Sequence, residues 1–134
     1  MKRIILKFAL YIPLILLFSC SGNDDSPDAV PDLIGTWVGI STIFGNDEGP
    51  NNNTVTFTAD NRIELIIRST ADNGQDVFDF GEWSRNGNTL TINWDNGGNS
   101  ILTITELTQN SLIWESTIST FRGDGILIQT FSRQ

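Results

Sequence analysis

Asp79 and Glu82 sit three residues apart in Asp79-Phe80-Gly81-Glu82-Trp83. Two neighbouring carboxylates can do acid–base work when burial raises the pKa of one of them. In an extended chain, however, an odd spacing sends the two side chains to opposite faces unless Gly81 bulges the strand. The expectation is therefore a pair of surface acids and no enzyme. Asn46-Asp47-Glu48-Gly49 and Asp72-Asn73-Gly74-Gln75-Asp76 place oxygen ligands at loop spacing, but neither completes a calcium-binding loop. Asp, Asn and Gly are also the residues that turns use, so no metal and no cofactor is expected. The chain has no histidine and one cysteine, Cys20, and its only lysines are Lys2 and Lys7. Ser–His and Cys–His catalysis and zinc sites built on imidazole are thereby excluded.

The remaining reactive group, the Cys20 thiol, closes a distinctive run. Met1-Lys2-Arg3 and Lys7 give a positive start, Phe8–Phe18 is apolar apart from Pro13, and Ser19 places a small residue before the cysteine. This is the pattern of an export signal. The apolar run is too short for a membrane-spanning helix, which needs about 20 residues. Leu17-Phe18-Ser19-Cys20 resembles the lipobox of bacterial lipoproteins. That resemblance implies removal of residues 1–19, acylation of Cys20, and attachment to a membrane through the acyl chains. The following Ser21-Gly22-Asn23-Asp24-Asp25-Ser26-Pro27 is similar to the acidic surface-export stretch of Bacteroidetes-type lipoproteins. Residues 20–32 are too polar to bury a core and are expected to form a tether. The implied location is the outer membrane, with the protein lipid-anchored and either periplasmic or facing outward.

Taking 19 residues from 134 leaves 115, one ordinary domain. Its cations are Arg62, Arg68, Arg85, Arg122 and Arg133. Five arginines against sixteen acids give a net charge of −11. A surface of that sign repels phosphate backbones, so nucleic acid is not a partner. Anionic headgroups are not bound by a basic patch either, and with Cys20 committed to acylation no internal disulfide can form.

The elements that must position any site are strands. Thr54–Ala59 alternates Val55, Phe57 and Ala59 against three threonines, a period of two. The same reading predicts strands over Leu33–Ile43, Arg62–Ser69, Val77–Arg85, Thr89–Trp94, Ser100–Leu107, Ser111–Ser119 and Ile126–Ser132. Asp60-Asn61, Asn86-Gly87 and Asp95–Asn99 supply the turn residues between several of them. Eight strands with short links and no crossover helix predict an all-β fold. The first architecture is an antiparallel eight-stranded up-and-down barrel over residues 33–134, and a two-sheet sandwich is the alternative, because spacing does not reveal closure. The long polar connection Phe44–Asn53 and the Ser69–Asp76 loop are expected at the rims.

Several segments are similar to the lipocalin-like domain of small Bacteroidetes lipoproteins. They are Gly35-Thr36-Trp37, Val55-Thr56-Phe57-Thr58-Ala59-Asp60-Asn61, Gly81-Glu82-Trp83, Asn88-Thr89-Leu90-Thr91-Ile92 and Ile104-Thr105-Glu106-Leu107-Thr108. The resemblance implies a monomeric barrel in which Gly35 and Trp37 are structural and Trp37 sits at the closed end. It also implies an arginine covering that tryptophan, either Arg122 or Arg133. The Thr-Asp-Tyr motif and the C-terminal helix of classical lipocalins are missing.

The aromatic residues allow two functions. A barrel cavity lined by Phe57, Leu65, Phe80, Trp83, Trp94 and Trp114 would take a small apolar or amphipathic ligand. An eight-stranded barrel is also narrow enough for side chains to fill it. A filled barrel would leave a protein-interaction module acting through its acidic surface and the Phe44–Asn53 loop.

Overall fold

A computed structural model describes residues 32–71, 74–120 and 123–134. The expected signal peptide, Cys20, the expected tether as far as residue 31, and Arg122 lie outside the described residues. The described chain forms nine strands: β1 (Gly35–Phe44), β2 (Asp47–Pro50), β3 (Asn53–Phe57), β4 (Arg62–Ile67), β5 (Val77–Asn86), β6 (Thr89–Trp94), β7 (Asn99–Leu107), β8 (Ser111–Thr120) and β9 (Gly123–Arg133). From β3 to β9 each strand pairs antiparallel with the next, and β9 returns to β1 from Trp37↔Arg133 to Phe44↔Leu127. That last ladder closes the sheet. The fold is therefore an eight-staved barrel rather than a sandwich, with β2 and β3 sharing one edge of β1.

The short β2 lies inside the segment expected to be a loop. Asp47-Glu48-Gly49-Pro50 has no β-branched or aromatic residue, so nothing local marks it as a strand. It forms because Gly45, at φ +63°, turns the chain back and the free edge of β1 offers a ladder from Ser41↔Pro50 to Phe44↔Asp47. Proline and two acids on such an edge also discourage pairing with another chain. Between β2 and β3 the chain continues along that edge of β1 at Asn51, whose backbone N–H donates to the Ile40 carbonyl at 3.3 Å. The Asn51 side-chain oxygen accepts from the Asn53 N–H at 3.1 Å.

Strand alternation sorts the side chains. Trp37, Val55, Phe57, Ile63, Leu90, Ile92, Leu112 and Phe131 face inward and are buried. They gather toward one end, where β1 begins and β9 finishes. Trp37 is completely buried there, and its indole Nε1 donates to the Leu33 carbonyl at 2.9 Å. Arg133 is the residue that covers it: the guanidinium carbon lies 4.2 Å from the ring centroid. The same side chain donates to the carbonyls of Ile34 (2.7 Å), Gln109 (2.7 Å) and Asp32. Gly35 is required beneath it, because a Cβ at that position would lie 2.7 Å from Arg133 Nη1 and its φ of +132° suits glycine alone. The chain thus enters the barrel at its closed base, at Asp32.

Two turns differ in detail from the sequence expectation. Asn86 belongs to β5 and pairs with Thr89, so the β5–β6 turn is Gly87-Asn88, with Gly87 at φ +59°. Ala59 lies beyond the end of β3 and is exposed rather than inward-facing, because the Thr58–Asn61 turn begins one residue before it.

Candidate ligand site in the barrel interior

Above the packed base the interior is not full. A cavity of about 200 Å³, open on one side to solvent, is lined by inward residues of β3, β4, β6, β7, β8 and β9. Its position follows from the alternation. In the lower half the inward residues are large, whereas in the upper half Ser100 and Ser116 take inward positions and leave space. The opening lies at the end away from Trp37.

The structure separates the six residues expected to line a ligand site. Leu65, Trp94 and Trp114 line the cavity. Phe57 lies beneath it in the core, edge-on to Trp83 at 5.4 Å and to Trp114 at 6.4 Å between centroids. Trp83 packs against that core, donates to the Thr58 carbonyl at 3.3 Å, and does not reach the cavity. Phe80 is on the outer face of the barrel and 46% exposed. The cause is the register of β5: Gly81 pairs with buried Ile63 and Trp83 with buried Ile92, so Asp79, Gly81 and Trp83 face inward while Phe78, Phe80 and Glu82 face out. Asp79 and Glu82 therefore do lie on opposite faces. Asp79 accepts from Asn96 Nδ2 at 3.0 Å, and Glu82 stands 4.0 Å from Arg62.

The polar groups of the cavity came from outside the aromatic inventory. Trp94 Nε1 donates to Ser100 Oγ at 2.9 Å, and Trp114 Nε1 donates to Gln129 Oε1 at 3.0 Å. Asn53 and Ser116 also line the space. Their signal in the sequence was weak but present: Leu112, Trp114 and Ser116 alternate along one strand, as do Leu127, Gln129 and Phe131 along the next. A polar residue recurring on the apolar face of a strand is what marks an interior that is not simply core.

The titrating groups whose environment shifts them are all on the outside. Arg62 grips Asp95 through both carboxylate oxygens, and the hydrogen bond holds the Asp95 carboxyl below its usual value. The Thr58 hydroxyl does the same for Asp60. Among the described residues no three acids, thiols or imidazoles come together in a way that could hold a metal ion.

The family model of the lipocalin-like domain matches residues 33–114, from the chain entry through β1 into β8, and so takes in the cavity's walls except Ser116 and β9. The chain belongs to the lipocalin-like domain family. Solved structures of similar fold include a lipocalin-like protein from Bacteroides uniformis ATCC 8492, 15% identical, with 76% of this chain and 98% of that chain covered and a TM-score of 0.58. Apocrustacyanin C1 is 18% identical over 82% of this chain and 64% of its own, at a TM-score of 0.54. A bovine odorant binding protein variant is 14% identical over 75% and 72%, at 0.50. At these identities the likeness is one of fold. No curated protein matches the chain. In this lipocalin-like domain the glycine–tryptophan pair at the start of β1 and the covering arginine at the end of β9 form the base, and the space lies above them.

Proposed function

We propose that this lipocalin-like protein is an exported, lipid-anchored binder of a small apolar or amphipathic molecule held in the barrel. The observation that carries the reading is the open cavity of about 200 Å³ between Trp94, Trp114 and Leu65, with hydrogen-bonding groups set into an otherwise apolar wall. A barrel that served only as a scaffold gains stability by filling such a space, since a cavity forfeits contacts along its lining. The bovine odorant binding protein, which has a similar fold and is named for a small-molecule ligand, fits the same use of a barrel interior. Anchoring rests on the Leu17-Phe18-Ser19-Cys20 sequence and on the polar segment that separates it from Asp32.

Native mass spectrometry of the mature protein, after incubation with an extract of the producing bacterium, tests the binding. A stoichiometric adduct of defined mass is the expected result; a bare protein mass with the strand signal intact by circular dichroism overturns it. Anchoring is tested separately by Cys20→Ala, which should abolish incorporation of labelled palmitate and release the protein from the membrane fraction. The second reading, a protein-interaction module, has in its favour the exposed Phe78 and Phe80 on the outer face of β5. Loss of partner capture in a Phe78→Ser, Phe80→Ser variant that still binds its small molecule would favour it.

A further inference from the structure

We infer that the natural ligand of this cavity is an uncharged molecule with a single-ring core of about eight to ten heavy atoms and one hydrogen-bonding substituent. The inference rests on the binding function proposed above and sharpens it to a chemical class.

Size comes first. A cavity of about 150 Å³ lined by apolar side chains accommodates benzene, and ordinary drug-sized sites begin near 300 Å³. A space of about 200 Å³ lies between them. It takes one ring with two to four further heavy atoms, and a long-chain lipid or polyene would leave most of its length outside. Charge comes next. None of the residues lining the cavity is ionisable, and the described arginines are engaged elsewhere: Arg62 with Asp95, Arg68 with Asp76, Arg85 with the Gly87 carbonyl, and Arg133 with the base. Asp79, cross-strand from Leu65 on the inward face of β5, adds negative charge on that side of the barrel. A carboxylate entering the cavity would lose its hydration and meet no cation, and that cost is far larger than the gain from burying a ring.

The polar groups then decide the substituent. Both indole N–H groups are already used within the wall, on Ser100 and Gln129. Asn53 and Ser116 line the cavity with side chains that make no hydrogen bond among the described residues, and the Gln129 amide nitrogen keeps its donors while its oxygen accepts from Trp114. Amide and hydroxyl groups of this kind supply both donors and acceptors without charge. They match a neutral amide, alcohol or carbonyl, and such a group would leave none of its polar atoms unsatisfied.

The test uses a pair of probes with one shape and two charges. The mature lipoprotein, reconstituted in nanodiscs, is titrated with 4-fluorobenzamide and with 4-fluorobenzoate and followed by fluorine NMR, with empty nanodiscs as the control. A bound-state shift for the amide, at least tenfold tighter than for the carboxylate, is expected, and Ser116→Phe should abolish it; Ser100→Leu serves in the same role if the first variant does not fold. Equal binding of the two probes overturns the neutrality and leaves the cavity as a ligand site. Binding of the longer neutral alcohol farnesol, but of neither ring, overturns the size. Binding of none of the three removes the proposed function itself.

Discussion

Arg133 and Trp37 are joined by more than one interaction, and their separate contributions can be measured. The guanidinium lies over the indole and also donates to three carbonyls from the chain entry and the β7–β8 turn. Arg133→Ala should cost about 2–4 kcal/mol, from the cation–π contact and the carbonyls left without a donor. In a domain of this size that lowers Tm by roughly 8–20 °C, and Arg133→Lys should recover less than half, because one ammonium cannot reach all three carbonyls. On the outside of the barrel, Arg62 depresses the carboxyl of Asp95 mainly through their hydrogen bond. A carboxyl with a lowered native pKa adds stability that is present above its unfolded value, near 4, and is lost as pH falls through the native one. The Tm difference between the wild type and Asp95→Asn should therefore be constant from pH 5 to 9 and shrink progressively as the pH falls below about 4. The described residues include no histidine and no cysteine, so no side-chain type whose ordinary pKa falls between pH 5 and 9 is present in the barrel.

At the scale of strands, Gly81 is a position with no room for a side chain. It is buried where β5 crosses toward β6, and a Cβ there would lie 2.5 Å from the Asn93 carbonyl oxygen, which is backbone and cannot swing aside. Gly81→Val should part the β5–β6 ladder and destabilise by about 2–4 kcal/mol, read as a lower denaturation midpoint. The period-two alternation made most of the strands legible beforehand, since each buries one face and must repeat every second residue. Alternation also gave Leu65, Trp94 and Trp114. It failed for Phe80, because an aromatic residue weighs in favour of burial and only the cross-strand partner shows which face it takes. It failed again for β2, where the ladder on β1 overrides residues with no strand preference of their own. Sandwich and barrel could not be told apart because the β1–β9 ladder joins residues about 95 positions apart, as in Trp37↔Arg133, and no local pattern encodes such a pairing. The two inward serines and Gln129 were missed for a related reason: small and polar side chains carry meaning only once their strand's inner face is known.

For the whole molecule, closure of the sheet makes the ends of the chain mutually dependent. The Gln134 N–H donates to the Thr36 carbonyl at 2.9 Å, and Phe131, fully buried, packs on Trp114 at 4.5 Å. Removing residues 131–134 should unzip β9 from β1 and cost the barrel its cooperative unfolding, seen as a broad thermal transition and lost amide protection along β1. The position of Asp32 at the base has a different consequence. An anchor at Cys20, as proposed, would tie the barrel to the bilayer from its floor and leave the mouth, at the end away from Trp37, facing the surrounding fluid. Cargo would then be taken from, and handed to, whatever diffuses past rather than the leaflet beneath. In that arrangement the anchor would fix where the vessel stands, while its contents would be governed by the water-soluble traffic above it.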